Sequence, residues 1–148
     1  MISPSLKEEV TRFIFSEQLK QNLIFALNSE VKDYVITKIE LVMSQPEEVK
    51  VQQGEATYDF FIIAKGDCEC FVKDEHRQER FVRTLNPGQH FGEIALLTGS
   101  KRTATIQTKN YSTIGMVSQE NFNELLHIFP DIKKKLNDSL VQYQDKYK

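Results

Sequence analysis

Residues 91–106 combine one carboxylate and one guanidinium on either side of a short apolar run. Gly92 allows a close backbone approach, and the run after it predicts one or two turns of helix. The first N–H groups of a helix have no intrahelical acceptor and favour an anion. Arg102 can offer paired donors to phosphate oxygens, whereas an ionised Glu93 can only accept and suits a sugar hydroxyl. An anion site beside a hydroxyl acceptor is what a ribose-phosphate ligand requires.

This stretch resembles the phosphate-binding cassette of cyclic nucleotide-binding domains, whose pattern is F-G-E-x-A-L-L…R-[TA]-A, and the match covers residues 91–104. The resemblance implies a cup for cAMP or cGMP, with no other cofactor. Glu93 would accept from the ribose 2′-hydroxyl, while Arg102 and the N–H groups of Ile94 and Ala95 would hold the cyclic phosphate. The alternative is a strand–turn–helix corner in which Glu93 and Arg102 pair with each other.

Several positions outside this core of the cassette also match ligand contacts of the family. Cys70 and Leu85 match strand positions that face the purine. Arg83 stands where the family usually has an apolar residue, so it would stack over the base or reach toward the last helix. Thr103 permits cGMP without requiring it, because cAMP-responsive members also carry threonine there. The full predicted set is Cys70, Arg83, Leu85, Phe91, Gly92, Glu93, Ile94, Ala95, Arg102, Thr103, Ala104, Tyr143 and Tyr147.

The end of the last helix is the predicted lid of this site. Ile132, Leu136 and Leu140 form one apolar stripe that continues into Tyr143 and Tyr147. The family resemblance implies that this part of the helix closes over the base, with Tyr143 nearest the ligand and Tyr147 one turn beyond. The alternative is that both rings only pack against the β-roll or contact another subunit.

The fold class follows from many short strands between about residues 41 and 118, separated by closely spaced turn signals. We predict a mainly β protein with flanking helices (α+β), a jelly-roll-like β-roll with N-terminal helices and two C-terminal helices. Residues 1–27 are predicted to form an N-terminal helical segment that resembles a channel linker, and residues 28–148 the cyclic nucleotide-binding domain. Glu47 replaces a glycine that the family usually has after Pro46, which favours a different turn type there.

The helices themselves are predicted from caps and periodicity. Ser5 begins a first short helix whose apolar face is Leu6, Val10 and Phe13, and a second runs from Ser16 through Leu23. The next helix begins at Asn28 or Ser29 and buries Val31, Tyr34, Val35 and Ile39. After a cap at Ser118 come two more helices, the second beginning near Pro130.

Composition narrows the function classes. The chain has 148 residues and a formal net charge of −2, which gives no general attraction to nucleic acid or to an anionic membrane. No catalytic residue and no metal site are predicted. The best enzyme rival is a cupin, but such a metal site needs several clustered histidines, and the chain has only His76, His90 and His127. Cys68 and Cys70 point to one face of a strand and are predicted to be buried thiols.

The family resemblance implies a regulatory role. The predicted function is a sensor domain on the cytoplasmic side of a membrane, with the cyclic nucleotide and the rest of a tetrameric cation channel as partners. No nucleic acid and no membrane insertion by this chain are expected. The alternatives are a regulatory domain of a cyclic nucleotide-dependent kinase and a structural roll without a ligand. A bacterial transcription regulator would continue into a helix-turn-helix module beyond Lys148.

Overall fold

The computed structural model describes residues 3–22, 24–26 and 28–146, and within them two antiparallel sheets are flanked by helices. The helices are α1 (Pro4–Gln21), α2 (Ser29–Lys38), α3 (Glu93–Thr98), α4 (Gln119–Ile128) and α5 (Pro130–Lys146). The strands are β1 (Glu40–Ser44), β2 (Val49–Val51), β3 (Phe60–Lys65), β4 (Cys68–Lys73), β5 (Glu79–Leu85), β6 (His90–Phe91), β7 (Thr105–Thr108) and β8 (Ser112–Val117).

Each sheet contains four strands, in the order β1-β8-β3-β6 for the first and β2-β7-β4-β5 for the second. Every strand pair is antiparallel. Apart from the β4–β5 hairpin, consecutive strands belong to different sheets, so the chain passes back and forth between the two sheets as in a roll. The predicted β-roll with flanking helices is confirmed.

Strand β3 is buried on both of its faces. Phe60 and Ile62 belong to an apolar cluster shared with the helices. Phe61 and Ile63 belong to a second cluster, which fills the space between the two sheets. A strand covered on both sides has a continuous apolar sequence instead of an alternating one, as residues 60–64 do.

The N-terminal region is one continuous helix, α1, so the prediction of two short helices is wrong. Its N-cap is Ser3, whose hydroxyl accepts from the N–H of Leu6 at 3.3 Å, and not Ser5. The apolar face predicted to pack is exposed: Leu6 and Val10 are accessible to solvent, and the Phe13 side chain is 88% exposed.

The opposite face of α1 is buried, at Thr11, Phe15 and Leu19. Gly115 on β8 makes room for this face, since a Cβ atom there would lie 2.7 Å from Cζ of Phe15. The helix has apolar residues on two opposite sides, so periodicity alone could not choose between them. Phe15 and Leu19 share a core with Phe60 of β3. The domain boundary at residues 27 and 28 stays a prediction.

The other predicted helix starts are confirmed. The side chain of Asn28 accepts from the N–H of Glu30 at 2.8 Å, and that of Ser118 accepts from the N–H of Asn121 at 3.2 Å. Pro130 is the first residue of α5. Burial of the α2 stripe is also confirmed at Val31, Val35 and Ile39.

The turn at Pro46 departs from the expectation based on Glu47. Glu47 has a φ of 65°, in the left-handed region that glycine normally supplies, so the positive φ of the family's turn is retained. Thr108 of β7 holds the turn in place. Its carbonyl oxygen accepts from the N–H of Glu47 at 2.8 Å, and its hydroxyl accepts from the N–H of Glu48 at 2.9 Å. These cross-strand bonds offset the strain of a non-glycine residue.

Candidate functional site

Gly92 determines how α3 begins. It has a φ of 95°, and a Cβ atom there would lie 2.7 Å from the carbonyl oxygen of Asp59. Glycine is therefore required for both its conformation and its lack of a side chain. The first-turn N–H groups of α3, which include those of Ile94 and Ala95, have no intrahelical acceptors. Gly99, with a φ of 69°, ends the helix and donates its N–H to the carbonyl oxygen of Ala95 at 2.9 Å.

Arg102 is held beneath this helix and is only 4% exposed. Its Nε donates to Oγ1 of Thr57 at 2.9 Å, its Nη1 to the carbonyl oxygen of Gly92 at 2.8 Å, and its Nη2 to the carbonyl oxygen of Asp59 at 2.8 Å. A guanidinium carries about five N–H donors, so each Nη atom retains one further N–H. None of these three acceptors belongs to Glu93. The guanidinium is therefore not anchored by the Glu93–Arg102 pair that the sequence analysis gave as the alternative.

The charge of Arg102 is compensated mainly by neutral oxygens. Among the described residues, no carboxylate oxygen forms an ion pair with it. Burial lowers the pKa of Arg102, and the more distant charges of Asp59 and Glu93 oppose that shift. A buried cation without an ionic partner is costly unless a ligand supplies the opposite charge. The arrangement therefore favours an anion next to α3.

An open cavity of about 470 Å³, its mouth included, lies beside α3 and Arg102. Ten of the thirteen predicted site residues line it: Cys70, Arg83, Phe91, Gly92, Glu93, Ile94, Ala95, Arg102, Thr103 and Ala104. The sequence prediction missed the remaining two lining residues, Val51 and Ile106.

The wall opposite α3 is one row of side chains across the second sheet. Val51 pairs with Ile106, Ile106 with Cys70, and Cys70 with Arg83 in the strand register. Val51 and Ile106 could have been found from the sequence only if this register had been known, because each is an ordinary strand valine or isoleucine. Three small or apolar residues and one guanidinium thus form the sheet wall of the cavity.

Arg83 and Cys70 interact electrostatically at the end of that row. Burial raises the pKa of the Cys70 thiol, and the charge and hydrogen bonding of Arg83 oppose the shift. Burial also raises the pKa of Cys68, to about 12. Both cysteines are free and buried, as predicted. At neutral pH these thiols are protonated, so Cys70 acts as a small apolar wall residue.

A second cavity of about 1080 Å³, open to solvent, adjoins the first and shares Arg83, Glu93 and Ile94 with it. Leu85, predicted to face the purine, lines this second cavity instead, together with Leu140 of α5. The predicted lid residues cannot be placed. The side chain of Tyr143 and all of Tyr147 lie outside the described residues.

His90 also lines the second cavity. Its Nδ1 lies 2.8 Å from Nδ2 of Asn22 at the end of α1. Sequence reasoning considered His90 only as a metal ligand and gave no reason to connect it with Asn22. In the described part of the chain, no three His, Cys, Asp or Glu residues come together as a metal site. None of the helices described there is long and apolar enough to span a membrane.

Comparison with known proteins agrees with this geometry. Residues 42–128 match the model of the family described as "Cyclic nucleotide-binding domain". The chain belongs to this family. The matched segment runs from β1 to the end of α4 and contains α3, Arg102 and the whole sheet wall.

Relatives within the family include both kinase regulators and channels. A cAMP-dependent protein kinase regulatory subunit from Blastocladiella emersonii is 30% identical over 121 residues, 82% of this chain and 30% of its own length. The potassium/sodium hyperpolarization-activated cyclic nucleotide-gated channel 2 of Mus musculus is 25% identical over 142 residues, 95% of this chain and 16% of its own length. The chain thus spans less than a third of either relative.

The fold itself is shared with the regulatory domain of Toxoplasma gondii PKA, solved with cAMP. The TM-score is 0.81 and the sequence identity 19%, with 91% of this chain and 51% of that one covered. This likeness supports the cyclic nucleotide-binding β-roll architecture.

Proposed function

We propose that this domain binds a 3′,5′-cyclic nucleotide in the cavity beside α3. The observation that carries the proposal is Arg102, a buried guanidinium that forms no ion pair within the described residues. The cyclic phosphate would take the N–H groups left on its Nη atoms together with the first-turn N–H groups of Ile94 and Ala95. Glu93 would accept from the ribose 2′-hydroxyl. Phe91, Gly92, Thr103 and Ala104 would shape the cup around the sugar phosphate.

The base would lie against the row of Cys70, Ile106 and Val51, with Arg83 at its edge. This placement leaves both cAMP and cGMP as candidates. The Arg83 guanidinium would favour guanine, because arginine donors complement the O6 and N7 acceptors of that base, and the Thr103 hydroxyl permits guanine without requiring it. Leu85 would contact the ligand only where the base reaches into the second cavity.

A calorimetric titration with cAMP and with cGMP tests the proposal directly. We expect saturable binding of at least one nucleotide at one site per chain, and loss of that binding in Arg102→Ala. Two control ligands are titrated in the same way. Inorganic phosphate tests whether an anion alone binds, and 5′-AMP tests whether a nucleotide without the cyclic phosphate binds. A folded chain that binds neither cyclic nucleotide would be a structural roll without a ligand, and the proposal would be wrong.

We further propose that the domain regulates an attached cation channel at the cytoplasmic side of a membrane, as part of a tetramer. The similarity to the channel from Mus musculus supports this, because it extends over 95% of the chain and so includes most of the α1 region. The signal would pass through α5, which contacts α3 and lines the second cavity with Leu140. Tyr143 and Tyr147 would cover the base from the end of that helix.

The second candidate is a regulatory domain of a cyclic nucleotide-dependent kinase. The 30% identity to the kinase regulator from Blastocladiella emersonii favours it. The complete coding sequence distinguishes the two candidates. Transmembrane segments upstream of α1 would support the channel, whereas a second cassette with an inhibitory basic segment would support the kinase regulator.

A further inference from the structure

Asn22 forms a buried clamp at the end of α1. Only 5% of the residue is exposed, and both ends of its amide are in use. Oδ1 accepts from the N–H groups of Ile24 at 2.9 Å and Phe25 at 3.3 Å. Nδ2 lies 3.0 Å from the carbonyl oxygen of Gly88, to which it donates, and 2.8 Å from Nδ1 of His90. The clamp joins the turn after α1 to the turn before the cassette.

The hydrogen-bond network fixes the tautomer of His90. Because two backbone N–H groups point at Oδ1 of Asn22, that atom must be the amide oxygen, and the atom facing the ring must be the nitrogen. Nδ2 therefore donates, Nδ1 of His90 accepts, and the ring proton of the neutral imidazole lies on Nε2. The bond exists only while Nδ1 carries no proton.

The ring of His90 is also held by its neighbours. Its centroid lies 5.5 Å from that of Phe60 and 6.1 Å from that of Phe25. Both phenylalanines are fully buried in the cluster that includes α1. The imidazole cannot turn away from Asn22 without disturbing this aromatic group.

His90 lies two residues before Gly92, whose carbonyl oxygen holds Arg102. Charges on both sides of the site act on the ring. Burial lowers the pKa of His90, the negative charge of Glu93 opposes this, and the positive charge of Arg83 adds to it. Asn22, Arg83, His90 and Glu93 all line the second cavity, which leaves space for these side chains to readjust.

We propose that the Asn22–His90 hydrogen bond couples the nucleotide site to helix α1, with His90 as a positioning residue for the segment from Gly92 to Glu93. The proposal rests on the function proposed above. A ligand that engages Glu93 and the α3 amides shifts this segment, and the shift passes through His90 and Asn22 to the end of α1. Since coupling is reciprocal, breaking the bond also weakens nucleotide binding.

Two substitutions break the bond from opposite sides. His90→Phe keeps an aromatic ring beside Phe60 and removes the acceptor. Asn22→Ser keeps a side-chain oxygen that can accept from the N–H groups of Ile24 and Phe25, removes the amide donor, and ends one atom short of the position from which Nδ2 reaches His90. His90→Gln restores an acceptor and serves as the conservative rescue. His76→Phe makes the same chemical change at the exposed β4–β5 hairpin and is the matched control.

The measurement is hydrogen exchange of the amides of α1 and residues 24–26 in the 148-residue chain, with and without saturating cAMP or cGMP. In the wild type we expect the nucleotide to change their exchange rates. In His90→Phe and Asn22→Ser we expect that change to shrink, and the dissociation constant to rise, by about fivefold or more. His90→Gln should recover part of both effects, and His76→Phe should match the wild type.

The outcomes separate this inference from the function on which it rests. If the wild type binds neither nucleotide, the proposed function fails and the coupling fails with it. If it binds but α1 does not respond, or if α1 responds in both bond-breaking variants as strongly as in the wild type, the coupling is overturned and the binding function stands. Should His90→Phe not fold, Asn22→Ser with His90→Gln decides the question.

Discussion

Arg102 and Gly92 are joined by a hydrogen bond of 2.8 Å from Nη1 of the arginine to the glycine carbonyl oxygen. The bond closes the cassette on itself, so the group that we propose for the phosphate also supports the backbone from which α3 begins. Arg102 therefore has a structural task in addition to the proposed ligand-binding one, and the sequence alone did not reveal the structural task.

We expect Arg102→Ala to weaken nucleotide binding by about a hundredfold or more, because the phosphate loses its charged partner in a partly desolvated cup. The fold should also lose about 1–3 kcal/mol, since Thr57, Gly92 and Asp59 are left with unsatisfied buried oxygens. Calorimetry and urea unfolding measure the two effects separately. An unchanged dissociation constant in a folded variant would rule out the cassette assignment.

Gly92→Ala should destabilise the domain more than Gly99→Ala does. Both glycines have positive φ, so alanine costs about 1–2 kcal/mol at either position. Only at Gly92 does the added Cβ atom meet backbone, 2.7 Å from the Asp59 oxygen, whereas at Gly99 nothing lies within 4 Å. The clash should add about 1–3 kcal/mol. Urea unfolding of the pair is the measurement, and equal losses would show that the close approach at Gly92 is unimportant.

Glu93→Gln should weaken binding through the ribose by about 1–2 kcal/mol, because the amide keeps an acceptor oxygen but loses the charge-assisted hydrogen bond. The partner experiment uses a 2′-deoxy cyclic nucleotide, which should bind the wild type less well and the variant about equally well. If the wild type does not distinguish the two ligands, Glu93 serves another purpose.

Arg83→Leu should lower the affinity for cGMP more than that for cAMP. A guanidinium can donate to both O6 and N7 of guanine. Adenine has the N7 acceptor but carries an amino group, a donor, in place of O6, a difference worth about 1–3 kcal/mol. Thr103→Ala should act in the same direction through its hydroxyl. Competition binding with both nucleotides measures the ratio. A ratio that Arg83→Leu leaves unchanged would mean that the guanidinium does not contact the base.

Acid should destabilise the fold partly through His90. Burial lowers the folded-state pKa of His90 below its ordinary value of 6.5, against the charge of Glu93 and with that of Arg83. The unfolded chain therefore takes up this proton first, and stability falls as the pH drops below about 6.5, levelling off below the folded-state pKa. Urea unfolding between pH 7 and pH 4 should show this slope in the wild type and a smaller one in His90→Phe. Identical slopes would exclude His90 as its source.

The sequence predicted the features that depend on residues close together in the chain, and it failed for those that depend on contacts between distant residues. The cassette could be predicted from the sequence, because a local motif defines the spacing of Gly92, Glu93 and Arg102. The buried side of α1 was predicted wrongly, since the choice between its two apolar faces is made by Gly115, a residue far away in the chain. Val51 and Ile106 were missed because strand register is set by long-range pairing.

The same limit explains why the link between Asn22 and His90 had to be seen in three dimensions. The two residues are separated in the chain by helix α2, strands β1 to β3 and the β4–β5 hairpin, and neither belongs to the cassette motif. An asparagine after a helix predicts only a turn. The contact between Asn22 and His90 arises because the fold of the β-roll places the turn at Gly88 next to the end of α1.

The burial of β3 on both of its faces has a consequence for how the domain unfolds. Phe60 and Ile62 complete the helical cluster, while Phe61 and Ile63 complete the cluster between the sheets, so neither cluster can form while this strand is absent. The two clusters therefore melt together, as a single cooperative unit whose slowest amides open with one free energy. The helices and the sheets therefore unfold together, and the signal that we propose to pass between them has to travel within an intact fold.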